Sequence, residues 1–166
     1  MGTPDLVLYD EEFQKIKDAL HRLRTDANAN VVFLVDKNGQ QIAATGDLAS
    51  LDTTSLASLT AGNVAATDGL ARLIGEKEFS ILFHEGEKDN IHISIVAKRV
   101  ILVVIFDERS SLGLVRLRVR RATAELDRIF DEIAQKVETE KENLPADFVS
   151  PFSEITDDDI DRLFSE

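Results

Sequence analysis

Three histidines are the residues of this chain best suited to acid–base or metal chemistry, but their spacing assembles neither. His21 stands alone, whereas His84 and His92 flank a predicted hairpin and could face each other. Two imidazoles are not a specific metal signal, because zinc sites use three or four protein ligands. The acids of residues 10–12 fall at a predicted helix start, where carboxylates favour the helix dipole. We therefore expect structural or surface roles for the histidines and no metal site.

No nucleotide-binding or hydrolytic motif accompanies them. The sequence lacks a GxxxxGK[ST] phosphate loop, a GxGxxG turn, an HExxH zinc motif and a GxSxG nucleophile elbow. No residues combine a nucleophile, a base and an orienting group. The chain has no cysteine, which excludes disulfides and thiolate metal sites and fits a reducing compartment. We expect a binding protein without an active site or cofactor of its own.

Charge is unevenly spread along the 166 residues. The net charge is −12, and residues 138–166 hold ten acidic and two basic residues, a net of −8. Such acidity argues against nucleic acid as a partner. The apolar run of residues 100–106 is too short to cross a membrane, and the N-terminus has no signal-peptide pattern, so we expect a cytoplasmic protein. The basic cluster is interpreted as a solvated helix face that pairs with nearby carboxylates; it comprises Arg116, Arg118, Arg120 and Arg121.

Hydrophobic periodicity predicts the element order α-β-β-α-β-β-β-α. Apolar residues spaced three and four positions apart indicate three helices. The first covers residues 10–27, the second runs from a cap at Thr53 or Thr54 to Gly75, and the third covers residues 111–140. The strands are predicted over residues 31–36, 41–45, 79–84, 91–97 and 100–106. Asn38-Gly39 should supply the positive φ angles of a tight hairpin. Short connections predict an α+β fold with a mainly antiparallel sheet, the apolar last strand central and helices on both faces.

The second predicted helix contains almost no charge. Residues 53–71 include one charged side chain, Asp68, in a chain that is 30% charged. A helix of this kind should be covered on most of its circumference. One sheet face cannot cover both flanks, which favours a partner over the alternative of a helix packed inside its own domain. Gly62 and Gly69 each cost roughly 1 kcal/mol relative to alanine, which suggests a close approach by another surface.

Three faces of this helix follow from a rotation of about 100° per residue. The stripe predicted to face the chain's own core is Leu56, Leu59, Asn63, Ala66, Leu70 and Leu73. The small flank, predicted to contact a partner, is Ser58, Ala61, Gly62, Ala65, Gly69 and Arg72. The opposite flank is Thr60, Val64, Thr67 and Ala71.

The C-terminal region is predicted to be separate from the first domain, which we place at residues 1–140. Pro145 and Pro151 indicate a flexible linker over residues 141–152. Thr156 then precedes three aspartates, which is typical of a helix start. Residues 153–166 are predicted to be an acidic recognition helix, the alternative being a disordered solubilising tail. The apolar anchors are Phe152, Ile155, Ile160, Leu163 and Phe164.

The hairpin VFLVDKNGQQIA, the helix SLASLTAGNVAAT and the passage VILVVIFDERSSLGLVRLR resemble the Roadblock/dynein light chain family. The resemblance covers about residues 5–137, and the tail SPFSEITDDDIDRLFSE is also similar to one bacterial branch. That branch regulates a small Ras-like GTPase of the MglA type in cell polarity and gliding motility. The implied fold is a three-layer α/β/α arrangement. Its five-stranded sheet has the second helix on one face and the first and last helices on the other.

The resemblance also implies a function. Two copies would pair through the second helix and the third strand, and this homodimer would bind one GTPase. It would activate GTP hydrolysis without an arginine finger, by moving the GTPase switch regions, while the C-terminal helix makes a second contact and affects nucleotide exchange. The small flank then becomes the GTPase contact, and concentration at a cell pole is a further expectation. The dimer contact would be the opposite flank together with Phe79, Ile81 and Phe83.

Two alternatives remain open. The first is a non-catalytic scaffold or adaptor that binds a GTPase or a cytoskeletal partner without changing hydrolysis. The second is a small-ligand sensor, which is less favoured because the sequence offers little polar material for a pocket.

Overall fold

The computed structural model describes residues 10–142, which form three helices and five strands. The predicted order is confirmed, and boundaries that differ from prediction do so by one or two residues. The elements are α1 (Asp10–Ala27), β1 (Val31–Asp36), β2 (Gln41–Gly46), α2 (Thr53–Leu73), β3 (Ile81–Glu85), β4 (Asn90–Val96), β5 (Val100–Phe106) and α3 (Leu112–Glu142).

The chain divides into two compact units, residues 1–133 and 134–166. The first holds the sheet, and the second begins with the last turns of α3. Lys141 and Glu142, predicted to open the linker, are helical. The rest of the predicted linker, the recognition helix and its five anchors lie outside the described residues.

The five strands form one antiparallel sheet in the order β2-β1-β5-β4-β3. The predicted central position of β5 is therefore confirmed. Its residues from Ile101 to Val104 are fully buried, because the strand is covered on both faces. β3 forms one edge of the sheet and leaves a row of backbone groups unpaired by the other described strands.

The helices occupy the two faces as expected for the α+β class. On one face Ala57, Ala61 and Val64 of α2 pack against alternate strand residues such as Phe33 and Val103. The other face carries α1 and α3, and ion pairs between described residues join these two helices. These are Lys15 to Glu132 at 3.0 Å and Arg22 to Glu125 at 2.6 Å.

The β1–β2 turn differs from the predicted hairpin. Only Gly39 has a positive φ, +90°, whereas Asn38 does not. The Asp36 carboxylate instead organises the turn by accepting hydrogen bonds from the backbone N–H groups of Asn38 and Gln40, both at 2.9 Å. This local side-chain bond substitutes for a second left-handed residue.

Candidate partner-binding surface

Most of the leucine stripe of α2 faces outward, so the prediction that it packs in the chain's own core is wrong except at Leu56, which packs against that core. Leu59, Leu70 and Leu73 are 73%, 59% and 83% exposed. Ala66 is also exposed, while Leu56 and Asn63 are half-buried at the edge of the stripe. We call Leu59, Leu70 and Leu73 the leucine flank. Its contiguous exposed apolar surface is of the kind that marks an interaction site.

Smaller residues form the buried face of α2. They are Ala57, Thr60, Ala61, Val64, Thr67 and Ala71. The hydroxyls of Thr60 and Thr67 donate to the backbone carbonyls of Leu56 and Asn63 at 2.7 and 2.8 Å. Because these polar atoms are satisfied within the helix, threonine is tolerated beneath it. Short side chains also let the helix lie close to the sheet.

This packing corrects the predicted dimer flank on α2. Its four residues are at most 9% exposed, so the chain's own sheet already covers them and a second copy cannot reach them. These residues are Thr60, Val64, Thr67 and Ala71. Ala61, predicted to contact a partner, is buried as well.

The leucine flank borders the open edge of the sheet. Asn63 lies on the same side of α2 as Leu59 and Leu70, and its Nδ2 is 2.9 Å from Nε2 of His84 on β3. On the opposite sheet face, Ile81 and Phe83 remain 43% and 36% exposed. Apolar side chains therefore lie above and below an edge strand. Phe79, just before β3, is half-buried.

The small flank lies on the other side of α2, beside the β1–β2 turn. Ser58, Gly62, Ala65 and Arg72 are exposed, and Gly69 is half-buried. A Cβ atom added at Gly39 of the turn would lie 3.2 Å from Cα of Ser58. A Cβ added at Gly62 or Gly69 would meet no described atom within 4 Å. Nothing in residues 10–142 thus requires glycine at these two positions.

The two histidines predicted to face each other lie on opposite faces of the sheet. His84 contacts Asn63 on the α2 face. His92 pairs in register with Phe83 and is fully buried on the α3 face. Among residues 10–142, no group of three or more His, Cys, Asp or Glu side chains could hold a metal ion. No helix in that range is long and apolar enough to cross a membrane.

The arginine cluster of α3 lies at the surface as predicted, with Arg116, Arg120 and Arg121 exposed, but the predicted pairing with nearby carboxylates is wrong. Within the described part of the chain, Arg116, Arg118, Arg120 and Arg121 form no ion pair. The neighbouring acids are committed elsewhere. Glu125 binds Arg22 of α1, and Asp127 accepts the backbone N–H of Ala97 at 2.8 Å.

The Roadblock/LC7 domain matches residues 15–106, from within α1 to the end of β5. The chain belongs to the Roadblock/LC7 family. This Roadblock chain is 62% identical to MglB of Myxococcus xanthus, with a TM-score of 0.73, over 77% of this chain and 96% of that one. It is 34% identical to the gliding protein MglB of Thermus thermophilus, with a TM-score of 0.73, over 79% and 99% of the two chains.

A further solved structure, MglB with a tetrameric arrangement, is 33% identical over 80% of this Roadblock chain and 99% of its own, with a TM-score of 0.73. No curated protein matches the chain. The resemblance to the gliding branch of the family is thus confirmed. The leucine flank is the feature that sequence reasoning assigned wrongly. The sequence did contain a signal for the correct orientation of α2. Thr60 and Thr67 are seven residues apart and so lie on one face of the helix, and the other residues of that face are also small.

Proposed function

We propose that this chain is a homodimeric GTPase-activating protein for a small Ras-like GTPase of the MglA type, acting in cell polarity and gliding motility. The observation that carries the proposal is the division of the exposed part of α2 into two surfaces of different character. One is the apolar leucine flank, and the other is the smooth small flank. The similarity to MglB at 62% identity supports it.

A second copy of the chain covers the leucine flank and the β3 edge. Edge-to-edge pairing of β3 would satisfy its open backbone groups and join two sheets into one. The same contact would remove leucine surface from water, which is the main favourable term in association. The residues assigned to this interface are Leu59, Leu70, Leu73, Phe79, Ile81 and Phe83.

The GTPase binds the small flank, and two copies of this chain serve one GTPase. Gly62 and Gly69 have no side chain and Ala65 carries a single methyl group, so a GTPase switch region can lie directly on the helix. Activation follows from movement of that switch region, which aligns the GTPase's own catalytic groups. The contact residues are Ser58, Gly62, Ala65, Gly69 and Arg72. The C-terminal residues Phe152, Ile155, Ile160, Leu163 and Phe164 make a second contact that promotes nucleotide exchange.

The test is single-turnover GTP hydrolysis by the cognate GTPase, with and without this protein. Wild-type protein should raise the rate, and the double variant Ala65→Arg/Gly69→Arg should not, because it places two charges in the contact. The matched control is Gly113→Arg/Ala124→Arg on α3. Ala124 is exposed like Ala65, and a Cβ added at either Gly113 or Gly69 would meet open space.

The control should stimulate hydrolysis like wild type. An active Ala65→Arg/Gly69→Arg variant would show that the GTPase binds elsewhere. A wild-type protein that binds the GTPase yet leaves the rate unchanged would replace activation with the scaffold function.

A further inference from the structure

A cavity of about 250 Å³ lies between α3 and the β3–β4 side of the sheet, on the face opposite α2. We call it the α3–β4 cavity. Its polar lining consists of His92 and Ser94 from the sheet and Arg116, Arg120 and Thr123 from the helix, and apolar side chains such as Ile95 and Val119 supply most of its surface. It is remote in the fold from the small flank and does not contribute to the proposed GTPase contact, but Ile81, which also lines it, belongs to the interface assigned to a second copy.

Two of its polar side chains are buried without a hydrogen-bond partner among residues 10–142. His92 is fully buried and Ser94 is 4% exposed. Neither ring nitrogen of His92 nor Oγ of Ser94 has a partner within the described part of the chain. Buried polar atoms in native proteins are nearly always paired, since the desolvation of an unpaired group is not repaid. Unpaired polar atoms beside a cavity favour a polar occupant there, either water or a ligand.

The charge of the residues that line the cavity indicates the charge of its ligand. Arg116 and Arg120 line it, and among residues 10–142 no aspartate or glutamate does. Neither arginine has an ion pair within residues 10–142. The cavity lining is positively charged, whereas the whole chain has a net charge of −12. The overall amino-acid composition therefore does not account for the positive lining.

We propose that the α3–β4 cavity binds a small oxyanion of the phosphate or carboxylate type. The two guanidinium groups would make charge-assisted hydrogen bonds to its oxygens, the strongest class available to them. The buried His92 ring and Ser94 hydroxyl lie on the sheet side of the same cavity, and a small shift of either side chain would let it donate to the remaining oxygens. The volume exceeds that of one water, about 30 Å³, several times over, so a phosphate group with part of a larger molecule also fits.

The protonation state of His92 provides a readout. Burial, and then the charge of Arg116, lower the pKa of its imidazole, which is neutral at pH 7. The charged groups that line the cavity are Arg116 and Arg120, both cationic. A bound anion would oppose their effect and favour the imidazolium ion, so it should raise the pKa of His92.

The test uses the full chain and two probes, inorganic phosphate and acetate, titrated against potassium chloride at matched ionic strength. Calorimetry should find one saturable site per chain for at least one probe. Titration of the His92 ring by NMR should show a pKa increase of about one unit or more with that probe. The probe that binds more tightly identifies the ligand class.

A pair of variants on one helix separates a site from general charge. Arg116→Gln/Arg120→Gln should weaken binding at least tenfold, because each lost arginine removes a charge-assisted contact. Arg121→Gln/Arg128→Gln removes the same charge from residues that do not line the cavity, and should stay within twofold of wild type.

Three outcomes would overturn the proposal. They are non-saturable heats with both probes, equal weakening in the two double variants, and an unchanged pKa for His92. Equal weakening would mean that anions sense only the overall charge of α3. The NMR titration is made on wild-type protein, so it decides the matter even if a variant fails to fold. None of these measurements needs a GTPase, and they stand apart from the test of activation.

Discussion

Replacing two outward leucines of α2 should dissociate the proposed dimer without unfolding the chain. In a single chain Leu59 and Leu70 are 73% and 59% exposed. Full burial of a leucine side chain is worth about 1.5–3 kcal/mol, so covering these exposed fractions contributes about 1–2 kcal/mol each. In a twofold dimer every substitution counts twice. Leu59→Ser/Leu70→Ser should therefore weaken association by about 4–8 kcal/mol, a rise in Kd of at least a thousandfold.

Sedimentation equilibrium over a concentration series measures this Kd directly. The variant should sediment as a monomer at concentrations where wild type is a dimer, and its circular dichroism should remain that of a folded chain. Leu117→Ser is the matched control, because Leu117 of α3 is 59% exposed, the same fraction as Leu70, and lies outside the proposed interface. This control should stay dimeric.

The reasoning fails if the double variant keeps a Kd within tenfold of wild type, since the leucine flank would then face something other than a second copy. Dissociation by Leu117→Ser, with Leu59→Ser/Leu70→Ser intact, would move the interface to α3.

Three further predictions concern the small flank and the stability of the fold. Arg72→Ala should keep stimulated hydrolysis within about threefold of wild type in single-turnover assays; a loss of a thousandfold or more would identify an arginine finger. Gly69→Ala should raise the free energy of unfolding, measured in urea, by roughly 1 kcal/mol, because an added Cβ meets no described atom within 4 Å. The same variant should weaken GTPase activation. A variant that shows neither effect would contradict the assigned contact. Hydrogen bonds from the side chain and backbone of Arg109, and then from Asn30, lower the pKa of Asp107 to about 2. Since unfolded aspartate has a pKa near 3.9, this contribution to stability is present above about pH 4 and is lost as pH falls toward 2. Urea unfolding of Asp107→Asn should lack that part of the pH dependence, and an unchanged profile would contradict it.

The element order and the position of β5 could be predicted because they depend on local signals. Steps of three and four residues, β-branched runs and turn residues are all readable in one segment at a time. The backbone conformation at Asn38 could not be predicted from such local signals. Its turn was located correctly, but the Asp36 side chain determined the backbone conformation by accepting two backbone hydrogen bonds.

The orientation of α2 could not be predicted from periodicity, because two of its faces are apolar. Leu59 and Leu70 follow a helical period as regularly as Ala57 and Val64, and hydrophobicity alone favours burial of the larger residues. The structure does the reverse, since short side chains beneath the helix allow close contact with Phe33 and Val103 of the sheet. The hydrophobic period identifies the apolar faces of a helix, but the distance between helix and sheet decides which of those faces is buried.

The α3–β4 cavity was missed for a related reason. Its polar lining comes from β4 and α3, which are separated in sequence, and no segment carries enough polar residues to signal a pocket. His92 alone resembles a buried strand residue. Arg116 and Arg120 resemble a solvated helix surface, and their lack of partners follows only from the commitment of Glu125 and Asp127 to other groups.

Under the proposed function, the two exposed surfaces of α2 would make activation depend on dimer formation. The leucine flank and the small flank share one helix of 21 residues, so a contact through the first brings two copies of the second close together. A single chain then offers the GTPase half of a binding surface. Loss of Leu59 and Leu70 should therefore abolish GTPase stimulation although neither side chain contacts the GTPase. If the variant is inactive only because it is monomeric, stimulation should return as its concentration approaches the raised Kd of the dimer. A variant that remains inactive as a dimer would place the leucines in the GTPase contact itself.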